Sequence, residues 1–128
     1  MQTPRLFIAV VDDELSVRKA LSRLLRVSGL DVETFANGLD FLEFVRARRP
    51  DCLVLDVNLP GLSGLEVQNR LAEAGIRMPT VVITGHDGPD LRDRVLTAGA
   101  AVYLLKPVDK KTLLNAVNLA VKENLSDS

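Results

Sequence analysis

Residues 52–66 read CLVLDVNLPGLSGLE, and the first five of them decide the fold. Cys52 to Leu55 is apolar without interruption and ends in Asp56. A strand with one wet face alternates apolar and polar residues. One that is apolar throughout is covered on both faces, as in a parallel sheet with helices above and below. The loop that follows, Val57 to Ser63, holds Pro60 and Gly61. Ser63 and Glu66 then have the spacing of a capping box, which predicts a helix from near Gly64 to about Ala74.

Moving outward, three more apolar runs end in polar side chains. Leu6 to Val11 ends in Asp12-Asp13, Val81 to Ile83 ends in Thr84, and Ala101 to Leu105 ends in Lys106-Pro107. Amphipathic segments separate the runs. A first helix is expected from about Glu14 to Val27, with Val17, Leu21, Leu24 and Leu25 on one stripe and Gly29 ending it. Asp31 to Phe35, with polar residues interleaved, reads as an edge strand. Asn37 caps a second helix whose apolar face is Leu39, Leu42 and Val45. Gly75 and Pro79 lead into a strand over Thr80 to Ile83. Pro89 suits the first turn of a fourth helix that runs to about Ala98, and Asp90 favours its N-terminal dipole. Asp109 caps a last helix carrying Leu113, Val117, Ala120 and Val121, and Ser126-Asp127-Ser128 is expected to be a frayed tail.

Five strands each followed by a helix define an α/β fold, a doubly wound (βα)5 unit of the flavodoxin-like type. Its five-stranded parallel sheet has the order 2-1-3-4-5 and its switch point between strands 1 and 3. In such sheets ligands bind beyond the carboxyl ends of the strands, where the acid pair, Asp56, Thr84 and Lys106 converge. The 128 residues are expected to form one domain, 47% hydrophobic and so able to bury a core. Aromatics are only 4%, so aliphatic side chains must fill that core. A net charge of -1 argues against broad attraction to nucleic acid or an anionic membrane. No apolar stretch approaches the roughly 20 residues that span a bilayer, and Leu6 to Val11 is too short for a signal sequence, so the cytoplasm is the expected location. Cys52 is the only cysteine, which rules out a disulfide within the chain, and reads as a small buried hydrophobe.

Three carboxylates gathered at one edge repel one another and raise one another's pKa values unless a cation intervenes. A hard divalent ion such as Mg²⁺ suits oxygen donors, and no His cluster invites zinc. Asp56, last in its strand, is placed to act as a nucleophile toward phosphorus. Lys106 offers a mobile positive charge and Thr84 a hydroxyl for phosphoryl oxygens. His86, the only histidine, reads as an exposed loop residue, with phosphodonor and metal ligand as the rival roles.

Asp12-Asp13, LDVNLPGLSGLE around Asp56, ITGH at Thr84 and YLLKP at Lys106 together closely resemble the response-regulator receiver domain of two-component signalling. The resemblance covers about residues 5–123, and LTAGAAVYLLKP with ITGH is most similar to receivers of the nitrogen-fixation regulator type. It implies that Asp56 is the phosphoacceptor and that Asp12, Asp13, Asp56 and the backbone carbonyl of Asn58 hold Mg²⁺. It also implies that Thr84 and Lys106 contact the phosphoryl group, that Thr84 and Tyr103 form the switch, and that the Lys106-Pro107 bond is cis. Side chains at Asn58 and His86 would tune hydrolysis of the acyl phosphate. The implied donor is a sensor histidine kinase. The implied output is the surface of the fourth helix, fifth strand and fifth helix, including Leu91, Val95, Val102 and Lys110. A C-terminal or separate output domain, and homodimer formation on phosphorylation, are both open. No direct nucleic-acid or membrane contact by this domain is expected. The domain would be a switch rather than an enzyme, its chemistry confined to gaining and losing its own phosphoryl group.

Rival assignments differ in kind. A small Mg²⁺-dependent aspartyl phosphatase shares the chemistry and would turn over a phosphomonoester. It needs an acid two residues after a first-strand nucleophile, a position held here by Glu14 after Asp12, and no cap segment for a substrate is visible. A flavin carrier shares the fold but needs a phosphate loop after the first strand that this chain lacks. A receiver degenerate in its site is disfavoured because every expected residue type is present.

Overall fold

The computed structural model describes residues 5–126, with side chains through Asn124. Its elements in chain order are β1 (Phe7–Val11), α1 (Leu15–Val27), β2 (Asp31–Phe35), α2 (Gly38–Val45), β3 (Cys52–Asp56), α3 (Gly64–Glu73), β4 (Thr80–Thr84), α4 (Pro89–Thr97), β5 (Val102–Leu105) and α5 (Lys110–Ser126). The sheet is parallel throughout and ordered β2-β1-β3-β4-β5, as the strand pattern predicts. Boundaries differ from expectation by a residue: Leu6 and Ala101 lie outside their strands, and Glu14 is the N-cap of α1. The helix α5 continues through Ser126, where a frayed tail was expected, and Asp127 and Ser128 lie outside the described residues.

The period of two along each strand sorts side chains to opposite faces. Ile8, Val10, Val54, Val81 and Ile83 meet Leu21 and Leu25 of α1 and Leu113 and Val117 of α5. Ala9, Val11, Leu53 and Leu55 meet Phe41 and Val45 of α2 and Val67 and Leu71 of α3. Every residue of β1, β3 and β4 is buried, which is why these three strands read as unbroken apolar runs. Truncating one such side chain to Ala costs about 2–5 kcal/mol.

Local signals hold where caps are concerned. The Ser63–Glu66 capping box forms in both directions. The Asn37 side chain accepts from the Asp40 N–H at 2.8 Å, and Asp109 accepts from the Thr112 N–H at 2.7 Å. Gly29 ends α1 at φ 90°, a left-handed conformation costly for other residues. The expected apolar face of α2 needs correction. Leu39 is 57% exposed, and the buried side is Phe41 and Val45. Phe41 stacks edge-on against Phe35 of β2, and that contact turns the short helix away from Leu39.

Candidate functional site

Parallel pairing in register brings the ends of four strands together. Val11 lies beside Leu55, Asp56 beside Ile83, and Thr84 beside Leu105. The next residues, Asp12, Asp13 and Lys106, therefore emerge at one edge with Asp56 and Thr84. Carboxylate oxygens of Asp12, Asp13 and Asp56 all lie within 4.8 Å of one another. Asp12 and Asp56 are buried, whereas Asp13 is exposed. Nζ of Lys106 stands 2.8 Å from Oδ2 of Asp12 and 3.1 Å from Oδ2 of Asp56.

Each buried acid is also held by backbone. Oδ1 of Asp12 accepts from the Glu14 N–H at 2.9 Å, and Oδ1 of Asp56 accepts from the Asn58 N–H at 3.1 Å. Arg18 of α1 donates to the Asp12 carbonyl at 2.8 Å, which fixes the turn after β1. Oδ2 of Asp12 is buried and forms an ion pair with the Lys106 ammonium at 2.8 Å. A buried carboxylate oxygen short of donors suits an approaching cation. Burial, and then the Asp12 charge, push the Asp56 carboxyl above the usual range, against the Asn58 N–H and Lys106. Burial thus outweighs the mutual repulsion expected from the sequence. For Lys106 burial pulls the ammonium down, but its bonds to Asp12 and Asp56 win and its pKa rises. Three carboxylates face one ammonium, all the anionic donors are oxygens, and the set fits a hard divalent ion such as Mg²⁺.

The other expected residues surround this cluster. Thr84 is fully buried; its hydroxyl donates to the His86 carbonyl at 3.2 Å and accepts from the His86 N–H at 3.1 Å. His86 and Asn58 are exposed, the His86 side chain as its loop position suggests. The Tyr103 hydroxyl donates to Asp87 at 2.8 Å, across the loop between β4 and α4. The Lys106-Pro107 bond is cis. Val95 cannot be part of an exposed surface, because it is 0% exposed and anchors α4 to Val57, Val82 and Ala100. Val102 is partly buried against the α1/α5 face and Leu91 against Val95, while Lys110 is exposed. The exposed apolar side chains of this region are Leu96, Leu105 and Leu119. Sequence reasoning also missed Asp87, Gln68 and the role of Gly64. An ideal Cβ on Gly64 would stand 2.4 Å from the Asp56 carbonyl oxygen, so α3 packs directly under the end of β3. Only the SGLE spacing hinted at that approach.

Comparison with known proteins agrees with this geometry. The model of the response regulator receiver domain matches residues 8–118. Nodulation protein W of Bradyrhizobium diazoefficiens is 39% identical over 117 residues, covering 91% of this chain and 52% of that protein. The transcriptional regulatory protein TdiR of Thauera aromatica is 38% identical over 117 residues, with coverage of 91% and 52%. The crystal structure of FixJ-N superposes with a TM-score of 0.86 at 32% identity, covering 95% of this chain and 96% of that one. The chain belongs to the response regulator receiver domain family of two-component systems. It spans about half the length of the curated relatives it matches. None of its described helices is long and apolar enough to cross a membrane.

Proposed function

We propose that the chain is a phosphoacceptor switch, a single receiver domain with its core at about residues 5–123, working in the cytoplasm. Asp56 takes a phosphoryl group from the phosphohistidine of a sensor kinase in a Mg²⁺-dependent step. The observation that carries this reading is Lys106 Nζ bridging Asp12 and Asp56 beside Asp13. An Asp56 carboxylate oxygen attacks phosphorus, and the P–N bond to the donor imidazole breaks. The leaving nitrogen keeps the electron pair and takes up a proton. Asp12, Asp13, Asp56 and the Asn58 carbonyl would hold Mg²⁺, which supplies positive charge to the transferring phosphoryl oxygens when bound. Lys106 exchanges a carboxylate partner for a phosphoryl oxygen, a move that its flexible stem permits.

The added charge, roughly -1.5 to -2, then acts on Thr84. Its hydroxyl leaves His86 for a phosphoryl oxygen, the loop before α4 follows, and Tyr103 turns into the space behind it. Moving such an equilibrium from 1:99 to 99:1 takes about 5.5 kcal/mol, within reach of a few charge-assisted hydrogen bonds. The altered surface spans α4, β5 and α5, with Leu105, Leu119 and Lys110 exposed on it. An output domain, a separate partner or a second copy of the chain reads that surface; the domain itself touches neither nucleic acid nor membrane. The similarity to a transcriptional regulator supports a transcriptional output.

The test is incubation with acetyl phosphate and Mg²⁺, followed by intact-mass analysis. The wild-type chain is expected to gain about 80 Da, one phosphoryl unit, and Asp56→Asn to gain nothing. Equal labelling of both, or labelling without Mg²⁺, would overturn the assignment. Steady release of phosphate from an added phosphomonoester would point instead to a phosphatase.

A further inference from the structure

Gln68 is a polar residue 4% exposed on the buried side of α3. Its Nε2 donates to the Val95 carbonyl of α4 at 3.0 Å, a buried bond between helices 27 residues apart. A carbonyl only accepts, so the amide nitrogen must face Val95 and the amide oxygen must face away. That oxygen, Oε1, is buried and has no hydrogen-bond partner among the described residues. The Val95 carbonyl already accepts from the Ala100 N–H at 3.0 Å and would stay bonded without Gln68.

These facts set two effects against each other. The strap holds α4 to α3, while a buried acceptor without a donor costs more than a typical hydrogen bond returns. Val95 is the one fully buried side chain of α4, with Leu91 partly buried beside it. A groove of about 510 Å³ opens beside the strap, lined by Gln68, Thr80, Leu96, Gly99 and Ala100 among others. A small displacement of the last turn of α4 would let water from that groove reach Oε1 and satisfy it.

We infer that Gln68 is a positioning residue that keeps the docked and displaced places of α4 close in free energy, so that this helix is built to move. One turn before Gln68, the start of α3 lies against Asp56 through Gly64, whose N–H donates to the Val57 carbonyl at 2.9 Å. One rigid helix thus joins the site to the strap. The link to signalling rests on Asp56 being the phosphoacceptor; the balance at Gln68 does not.

Native-state hydrogen exchange of the resting chain, normalised to amides of α1 and α5, reads the balance directly. Gln68→Met keeps the length of the side chain and removes both the strap and the orphan oxygen. It is expected to slow exchange of the α4 amides by about fivefold. Gln68→Leu should act in the same direction. Gln68→Ala removes packing volume as well and is expected to speed exchange. A strap that merely holds α4 would make all three variants faster; acceleration or no change in Gln68→Met overturns the inference. Beryllofluoride with Mg²⁺ should then raise α4 exchange in the wild-type chain and less so in Gln68→Met. A wild-type chain that does not respond would count against the phosphoacceptor reading and leave the resting-state comparison intact.

Discussion

Nζ of Lys106 lies 3.1 Å from Oδ2 of Asp56, although 50 residues separate the two in the chain. The contact exists because β4, which lies between β3 and β5, keeps both neighbours in parallel register. It is not enough to bring the Asp56 carboxyl back to its ordinary range, since burial and Asp12 together outweigh Lys106 and the Asn58 N–H. The folded chain therefore binds the Asp56 proton more tightly than the unfolded chain. Ionisation costs stability as pH rises through the raised pKa, and the cost is absent below the unfolded value near pH 3.9. In chelator-treated buffer, Asp56→Asn is expected to be more stable than wild type at about pH 7.5, by on the order of 1 kcal/mol. The gap should close toward about pH 4, as wild-type Asp56 takes up its proton. Urea midpoints at the two pH values check this, and a gap that widens in acid would contradict it.

Cation binding should reverse that ranking. Carboxylate oxygens of three acids within 4.8 Å form a site that only the folded chain can present. Saturating Mg²⁺ is expected to raise wild-type stability by about 1–3 kcal/mol. Asp13→Asn removes the exposed acid without disturbing the core and should abolish most of the gain. Thermal melts with and without Mg²⁺ decide the point.

Close packing under the acid cluster makes Gly64 intolerant of any side chain. A Cβ there would meet the Asp56 carbonyl oxygen at 2.4 Å and the Val57 Cα at 2.8 Å, both backbone atoms. At Gly38 the nearest obstacle is Cγ2 of Val67 at 2.5 Å, the tip of a side chain. Gly64→Ala is therefore expected to cost more than Gly38→Ala and to exceed about 2 kcal/mol. It should also depress acetyl-phosphate labelling, because β3 or α3 must shift. Equal urea midpoints for the two variants would show that α3 yields freely.

Tyr103 is the only tyrosine and the chain has no tryptophan, so its phenol can be followed by absorbance in the intact protein. Burial, and then the hydrogen bond and charge of Asp87, hold its pKa above the usual value. A negative neighbour opposes loss of the phenolic proton, so Asp87→Asn should bring the titration midpoint down. Breaking the 2.8 Å bond also frees the loop between β4 and α4. Amides of residues 85–88 are expected to exchange faster in Tyr103→Phe, which removes the donor of that bond. An unmoved phenol midpoint would mean that the contact does not persist in solution.

The sheet order was legible because burial on both faces leaves a plain mark, an unbroken apolar run such as Cys52 to Leu55. The acid cluster followed from it, since parallel strands of known order must end side by side. Side-chain direction was harder to read. Leu39 lies in the apolar stretch GLDFLEFV and Val95 in the charged stretch PDLRDRVLT, yet Leu39 is 57% exposed and Val95 fully buried. Which face a short helix buries depends on partners distant in sequence, such as Phe35 for α2 and Val82 for α4. Gln68 carried no signal at all, because a glutamine in a helix is ordinarily a solvated residue. Its burial is set by α4 lying across α3.

Cys52 tests the double-sided burial of β3 itself. The thiol is 0% exposed, and desolvation pushes its pKa up to about 12. At about pH 8 a free cysteine is roughly a quarter thiolate, whereas a group titrating near 12 is ionised to only about one part in ten thousand. Native protein is therefore expected to resist iodoacetamide at that pH and to label promptly in urea. Raising the pH alone should speed native labelling only when the fold opens, because access and ionisation are blocked by the same packing. Cys52→Ala, which loses one buried sulfur, should be milder than Cys52→Ser, which places a hydroxyl among Ile8, Val54 and other apolar neighbours. A cost of about 1–3 kcal/mol is expected for the serine variant. Rapid labelling of the native chain at about pH 8 would mean that β3 is open to solvent on one face, contrary to the packing on which the site depends.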